Sequence, residues 1–403
     1  MGLHLRRRAA PDVEVVGSAP LSRWLVPPRL RTAEEGGERR ATWLELFFDL
    51  VFVVAITELS HQLVLDHSAS GFLRFAGLFV PVFVAWQGYS FYADRFDTDD
   101  ALLRAAFFAA MLAIAAMAVL IGDVARGTHS TGFVIAYVVL RSIMLALYAR
   151  AWRAVPEARP LTRFYGLGYA VGVTIWLASL AFDPPARYVV WGVALTLELS
   201  LPPLTMRMRQ RVPTSASHVP ERWALFTLIV LGESVVTVAL STAGSEWRAD
   251  SASAAVLGFA AVAGVWWLYF DRQASVVLAP RPSVALIYSY AHLPLLMGLA
   301  AMSAGMRLVI EHAGDGHLGV GPSVAYLGGV VFFILSLVAT RSVTVGPNRL
   351  GVALKLGAVA IIVGLIAAQG FLSPVALSAA LALVLTTLIV VEGSLFPNPR
   401  SAD

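Results

Sequence analysis

The 403-residue chain has no cysteine and a single lysine, Lys355. The first absence removes disulfides, thiolate metal sites and thiol nucleophiles from consideration. Charge is scarce as well. Asp, Glu, Lys and Arg make up 14% of the residues, against roughly a quarter in a soluble domain, while 58% are hydrophobic and the mean hydropathy is +0.73. That balance excludes a water-soluble globule. No HExxH, GxSxG, Walker or dinucleotide fingerprint occurs in a suitable setting. Neither a cofactor nor a metal is therefore expected, and an enzyme is not the leading reading. No apolar segment follows Arg6, Arg7 and Arg8 closely enough to make a signal peptide, so residues 1–41 read as a flexible, Arg-rich cytoplasmic tail.

What the chain does contain is a series of apolar runs, each about twenty residues long and so able to cross a bilayer. Spanning segments must satisfy their backbone internally, which predicts an all-α polytopic membrane protein. Twelve spans are expected, at 43–65, 72–93, 101–122, 132–152, 163–182, 187–206, 222–243, 252–270, 284–309, 322–342, 351–369 and 373–392. The formal charge of +4 is no nucleic-acid footprint, because the basic residues follow topology. Twenty-four of the thirty fall in the amino-terminal segment and every second loop; the opposite loops hold Arg74, Arg126, Arg187, Arg248 and Arg307, and Arg141 lies inside a span. The positive-inside rule then predicts both termini cytoplasmic, and so much Arg over Lys with abundant Ala and Val points to a GC-rich bacterial genome and hence to the inner membrane.

The sequence also suggests a duplication. Tyr92-Ala93-Asp94-Arg95 recurs as Tyr269-Phe270-Asp271-Arg272, each at the inner end of the second span of its half. MLAIAAMA from Met111 resembles MGLAAMSA from Met297, and Glu58 has a counterpart in Glu233. This predicts a first six-helix half over 42–206, a linker over 207–221, a second half over 222–392 and a tail over 393–403. With an even number of spans per half, the two would be related by an axis along the membrane normal.

Three stretches carry a family resemblance: WLELFFDLVFVVAITELS (Trp43–Ser60), ERWALFTLIVLGES (Glu221–Ser234) and YAHLPLLMG (Tyr290–Gly298). In this order and spacing the chain resembles the bacterial low temperature requirement A family, over nearly all of its length after residue 41. The resemblance implies a multi-spanning membrane protein linked to growth in the cold. It brings no reaction and no substrate.

Buried charge has to indicate the site. Carboxylates on a lipid-buried helix are costly and persist against partners or in wet cavities. Glu45 and Asp49 lie one turn apart at the start of the first span. Glu45 also suits a capping box with Thr42. Asp49 is too deep for a cap and calls for a cation, with Arg95 or Arg272 as candidates; these four, with Asp94 and Asp271, form an expected charge network on the cytoplasmic side. Deeper in, Arg141, Glu198 and Glu233 fall within a few ångströms of one depth at about 1.5 Å per residue. Arg141 is expected to pair with Glu198 or Glu233, leaving the other carboxyl for proton or solute handling. Ser234, His292 and Glu58 complete the expected pathway, and Gly232, Pro202 and Pro294 stand beside it as helix breakers. The remaining histidines, His218 among them, read as solvated.

The leading expectation is a proton- or ion-coupled transporter of an unidentified small solute or ion. An intramembrane enzyme or lipid-handling protein is the alternative, and a non-transporting sensor or scaffold is a third. A continuous aqueous route, a lateral opening near headgroups and a dry paired core would mark the three in turn.

Overall fold

The structure is a computed structural model that describes residues 26–30, 41–210, 212, 214–245, 248–271, 278–279, 281–346 and 348–396. Most of the expected amino-terminal tail, Arg272 and the last seven residues lie outside the described residues. The long helices are α1 (Trp43–Leu65), α2 (Ala69–Arg95), α3 (Ala101–Ala125), α4 (Ser130–Ala154), α5 (Arg159–Ala178) and α6 (Ala186–Leu204). A four-residue α7 (Met206–Arg209) precedes α8 (His218–Ala243), α9 (Ala249–Phe270) and α10 (Pro282–Glu311). A short α11 (Val320–Ser323) runs through a π turn, Val324–Gly328, into α12 (Gly329–Thr344); α13 (Arg349–Ala367) and α14 (Pro374–Leu395) follow.

Each of the twelve expected spans overlies one of these long helices, and ten of the helices are long and apolar enough to cross a membrane. α1 and α6, which carry Glu45, Asp49, Glu58 and Glu198, are not among the ten. The architecture is that of an all-α polytopic membrane protein. Its surface carries large apolar side chains such as Phe108, Leu112, Val119, Leu240 and Leu383, as helices facing lipid require. The one sheet-like feature among the described residues is a two-residue antiparallel pairing of Arg29–Leu30 with Phe96–Asp97. It seats a piece of the expected flexible tail on the bundle. Arg150 strengthens that seat by donating to the Val26 carbonyl at 2.6 Å while pairing with Asp100 at 2.5 Å.

The ends of the bundle are named here by α1: the Trp43 end and the Leu65 end. Among α1–α6 and among α8–α14 the helices pack in a similar order, apart from the close packing of α9 on α14. α1 packs on α2 and α3, α3 on α4, α4 on α5, and α5 on α6; α8 packs on α9 and α10, α10 on α12, α12 on α13, and α13 on α14. α1 meets α8 and α10 at a seam between α1–α6 and α8–α14. α10 is the most enclosed helix, with 78% of its apolar window buried. It lies against α11–α12 backbone to backbone. A Cβ on Gly298 would strike the Gly329 carbonyl, and one on Gly305 would strike the Tyr326 backbone. Only small residues permit so close an approach between helices in lipid.

Candidate functional site

Arg141, the cation expected at mid-depth, finds its carboxylate on α6. Arg141 of α4 is fully buried and forms an ion pair with Glu198 of α6, which is 3% exposed. Tyr137 completes the group: its hydroxyl accepts from Arg141 Nε at 3.0 Å and Nη2 at 2.7 Å, and donates to Glu198 Oε2 at 2.7 Å. The guanidinium also lies 5.3 Å from the Tyr169 ring centroid. Tyr137 sits one turn before Arg141, so its proximity follows from helix spacing alone. Gly88 and Gly172 face this group closely, since a Cβ at either would come within 3.3 Å of Arg141 Nη1 or Glu198 Oε1. The arrangement is enclosed and paired.

At the Trp43 end a second set of charges joins α1, α2 and α8. Asp49 does not meet Arg95 or Arg272, the candidates chosen from sequence. Its Oδ1 accepts from Arg222 Nη2 at 2.7 Å and from the Trp86 indole N–H at 2.7 Å. Arg222 also donates to Ser90 Oγ at 3.3 Å and lies over the Trp86 ring. Glu45 does form the capping box with Thr42, the Thr42 N–H donating to its Oε2 at 2.8 Å. Its other oxygen lies 3.5 Å from His218 Nε2, and His218 Nδ1 lies 2.9 Å from Asp94 Oδ1. His218 is therefore fully buried between two carboxylates rather than solvated. α8 begins at His218, four residues before the expected boundary, because Pro220 falls in the first turn, where a missing N–H costs nothing. Asp271 is half-buried and caps the end of α9, its backbone N–H donating to the Trp267 carbonyl.

Between α1, α8 and α10, on the Leu65 side of Asp49, lies a cavity of about 1000 Å³. Its walls include Leu50, Val53, Leu228, Val236 and Leu240, with Glu58, Glu233, Thr237 and Ser303 supplying polar groups. His61, Arg307 and Glu311 border its Leu65 end, where Arg307 donates to Glu311 at 2.7 Å and to His61 at 3.3 Å. Glu233 is 7% exposed. Thr237, one turn further along α8, donates to its Oε1 at 3.0 Å and accepts from Ser303 of α10 at 3.1 Å. Glu233 Oε2 has no hydrogen-bond partner, and no cation pairs with this carboxyl among the described residues. Glu58 is half-buried on the α3 side of the cavity, accepting from Gln62 at 2.7 Å.

The expected pathway thus separates into parts. Glu58 and Glu233 border the cavity, whereas Arg141 and Glu198 are tied up elsewhere. Ser234 does not line the cavity, and its buried hydroxyl has no partner among the described residues. His292 is fully buried in an aromatic cage, stacked 4.6 Å from Trp223. Its Nδ1 faces the Tyr288 carbonyl at 2.7 Å and so carries the proton, leaving Nε2 to accept from the Tyr269 hydroxyl at 2.9 Å. Sequence reading missed Thr237 and Ser303. Thr237 was recoverable from its i+4 relation to Glu233, but Ser303 comes from a different helix and had no local signal.

Two comparisons bear on this chain. Residues 40–391 match the family described as bacterial low temperature requirement A protein. An uncharacterized protein of Rhizobium meliloti (strain 1021) is 29% identical over 328 residues, covering 75% of this chain and 77% of the relative.

Proposed function

This chain belongs to the bacterial low temperature requirement A family, and from that premise we propose a proton- or ion-coupled transporter whose solute site is the α1–α8–α10 cavity. Glu233 is the group that exchanges a proton or holds the ion. One observation carries the reading: a buried carboxyl faces a cavity of about 1000 Å³, bonded to a hydroxyl and paired with no cation among the described residues, while the cavity's own arginine, Arg307, is engaged by Glu311 and His61. A carboxylate at membrane depth is expensive, so one without a cation is proton-binding or meets water or solute from the cavity. The cavity lies along the seam between the halves, where transporters built from repeats hold their substrates.

In this reading all twelve long helices span the inner membrane, and the Arg-rich loops put the Trp43 end in the cytoplasm. The matching neighbour order of α1–α6 and α8–α14 supports a duplicated architecture. Asp49, Arg222 and the ring stack of Trp86 on Phe226, 4.3 Å between centroids, close the seam below the cavity. Access is then from the Leu65 side, and the Asp49–Arg222 pair is the barrier that must open toward the cytoplasm. Arg141, Glu198 and His292 hold helices together and do not handle solute.

A lipid-handling role has one observation in its favour. Val236 and Leu240 line the cavity and are 55% and 69% exposed, which gives it a strongly apolar, accessible wall. An amphiphile with an apolar body would suit that wall. The experiment separating a working carboxyl from a packing one uses a strain lacking the gene. Wild type is expected to restore growth in the cold, and Glu233→Gln, at equal membrane abundance, is expected not to. Full complementation by an abundant Glu233→Gln protein would reject Glu233 as the working group.

A further inference from the structure

Away from the cavity, two arginines are enclosed without a counter-charge among the described residues. Arg95 ends α2 and Arg209 ends α7, and each is 2% exposed. Both guanidinium groups lie over the same Phe91 ring, 5.3 Å and 5.2 Å from its centroid, and Arg95 also lies 6.0 Å from the Tyr165 ring. Arg95 Nη1 donates to the Phe91 carbonyl at 3.3 Å. Arg95 Nε and Nη2, and both terminal nitrogens of Arg209, meet no acceptor among the described residues. The polar side chains nearby are Tyr148, Tyr165 and Tyr290. Two of the three hydroxyls are occupied, Tyr165 with Thr205 at 3.2 Å and Tyr290 with the Leu199 carbonyl at 2.6 Å. Burial, and then the charge of Arg95, push the Arg209 guanidinium down to about 10, so it stays charged at neutral pH.

An ion pair is the usual way to keep a buried guanidinium, and breaking such a pair is costly because the remaining charge is left uncompensated. Here two like charges share one ring, and cation–π contact returns only part of the cost. We infer that Arg95 and Arg209 form a binding site for a doubly charged tetrahedral oxyanion, either free phosphate or the phosphomonoester headgroup of a lipid. Two planar forks present four unused nitrogens, and a phosphate monoester offers oxygens and charge to match both. A carboxylate would balance only one of the cations. Entry requires α7, which also packs on α5, α6 and α10, to lift from Phe91, and α7 is a four-residue turn beyond Pro202 and Pro203.

The test uses the full-length purified protein. Its unfolding temperature is followed against sodium phosphate at constant ionic strength in detergent, and against phosphatidic acid in phosphatidylcholine nanodiscs; bound phosphorus is assayed beforehand. Wild type should either carry stoichiometric phosphorus or show a saturable rise in unfolding temperature. A rise with phosphate identifies the free anion as ligand, and a rise with phosphatidic acid alone identifies the headgroup. Arg209→Gln should weaken the response at least tenfold. Without anion it should unfold no lower than wild type, because it removes one of two repelling charges. Arg95→Gln is the second variant and should behave alike. Phosphorus-free wild-type protein that ignores both ligands would overturn the site, as would variants whose response equals that of wild type.

Discussion

Glu198 and Glu233 sit near the middle of their helices, in apolar segments of similar composition, yet they meet different surroundings. Glu198 faces Arg141 and Tyr137 in an enclosed group between α4 and α6. Glu233 faces a cavity, with Thr237 and Ser303 as its hydrogen-bonding company. The first balances charge against charge, with Glu198 Oε1 and Arg141 Nη1 left without a hydrogen bond among the described residues, and keeps the helices in register. The second also leaves an oxygen without a hydrogen bond, but here no cation balances the charge among the described residues, so a proton or a bound species has to neutralise it.

The contrast fails most visibly if Glu198 is removed. Glu198→Gln leaves Arg141 buried without its carboxylate and should lower unfolding stability by about 3–5 kcal/mol, seen as a loss of folded yield and of unfolding temperature in detergent. Replacing both Arg141 and Glu198 by methionine should recover most of that loss, because no uncompensated charge remains. A smaller effect is expected at Asp49, whose removal still leaves Arg222 a bond to Ser90. Asp49→Asn should cost about 2–3 kcal/mol, and a double-mutant cycle with Arg222→Met should return a coupling energy of the same sign.

Gly298→Ala bears on the wall behind the cavity. The added methyl strikes the Gly329 carbonyl and should cost about 1–3 kcal/mol as α10 and α12 separate. The smallest stability effect belongs to Glu233→Gln. The amide keeps an acceptor for Thr237, so unfolding should move by less than about 1 kcal/mol, while growth in the cold is lost. A large destabilisation by Glu233→Gln would make the two carboxyls alike and erase the comparison.

Much of this was legible in the residues. Apolar run length placed every long helix, and counting 1.5 Å per residue put Arg141 and Glu198 at one depth. What depth does not give is azimuth. Arg95 and Arg222 both lie at the Trp43 end, and only packing decides which one turns toward Asp49. His218 was missed for a different reason: a proline in a first turn looks like a loop from sequence, and a loop histidine looks wet. The cavity itself has no sequence signal at all, because it is the space left between three helices from distant parts of the chain.

α10 carries a consequence for motion. From Gly298 onward it is locked against its neighbour by contacts that tolerate no sliding, since the opposing surfaces are main chain. One turn earlier Pro294 removes the bond that the Tyr290 carbonyl would accept. The helix is therefore a rod with a clamped length and a soft joint. Any change in cavity shape has to be made by tilting α1 and α8, or the first turns of α10 below the joint, about a wall that stays still. The fulcrum of the molecule is then the α10–α12 crossing, and its lever arms are the helices that carry Asp49, Arg222 and Glu233.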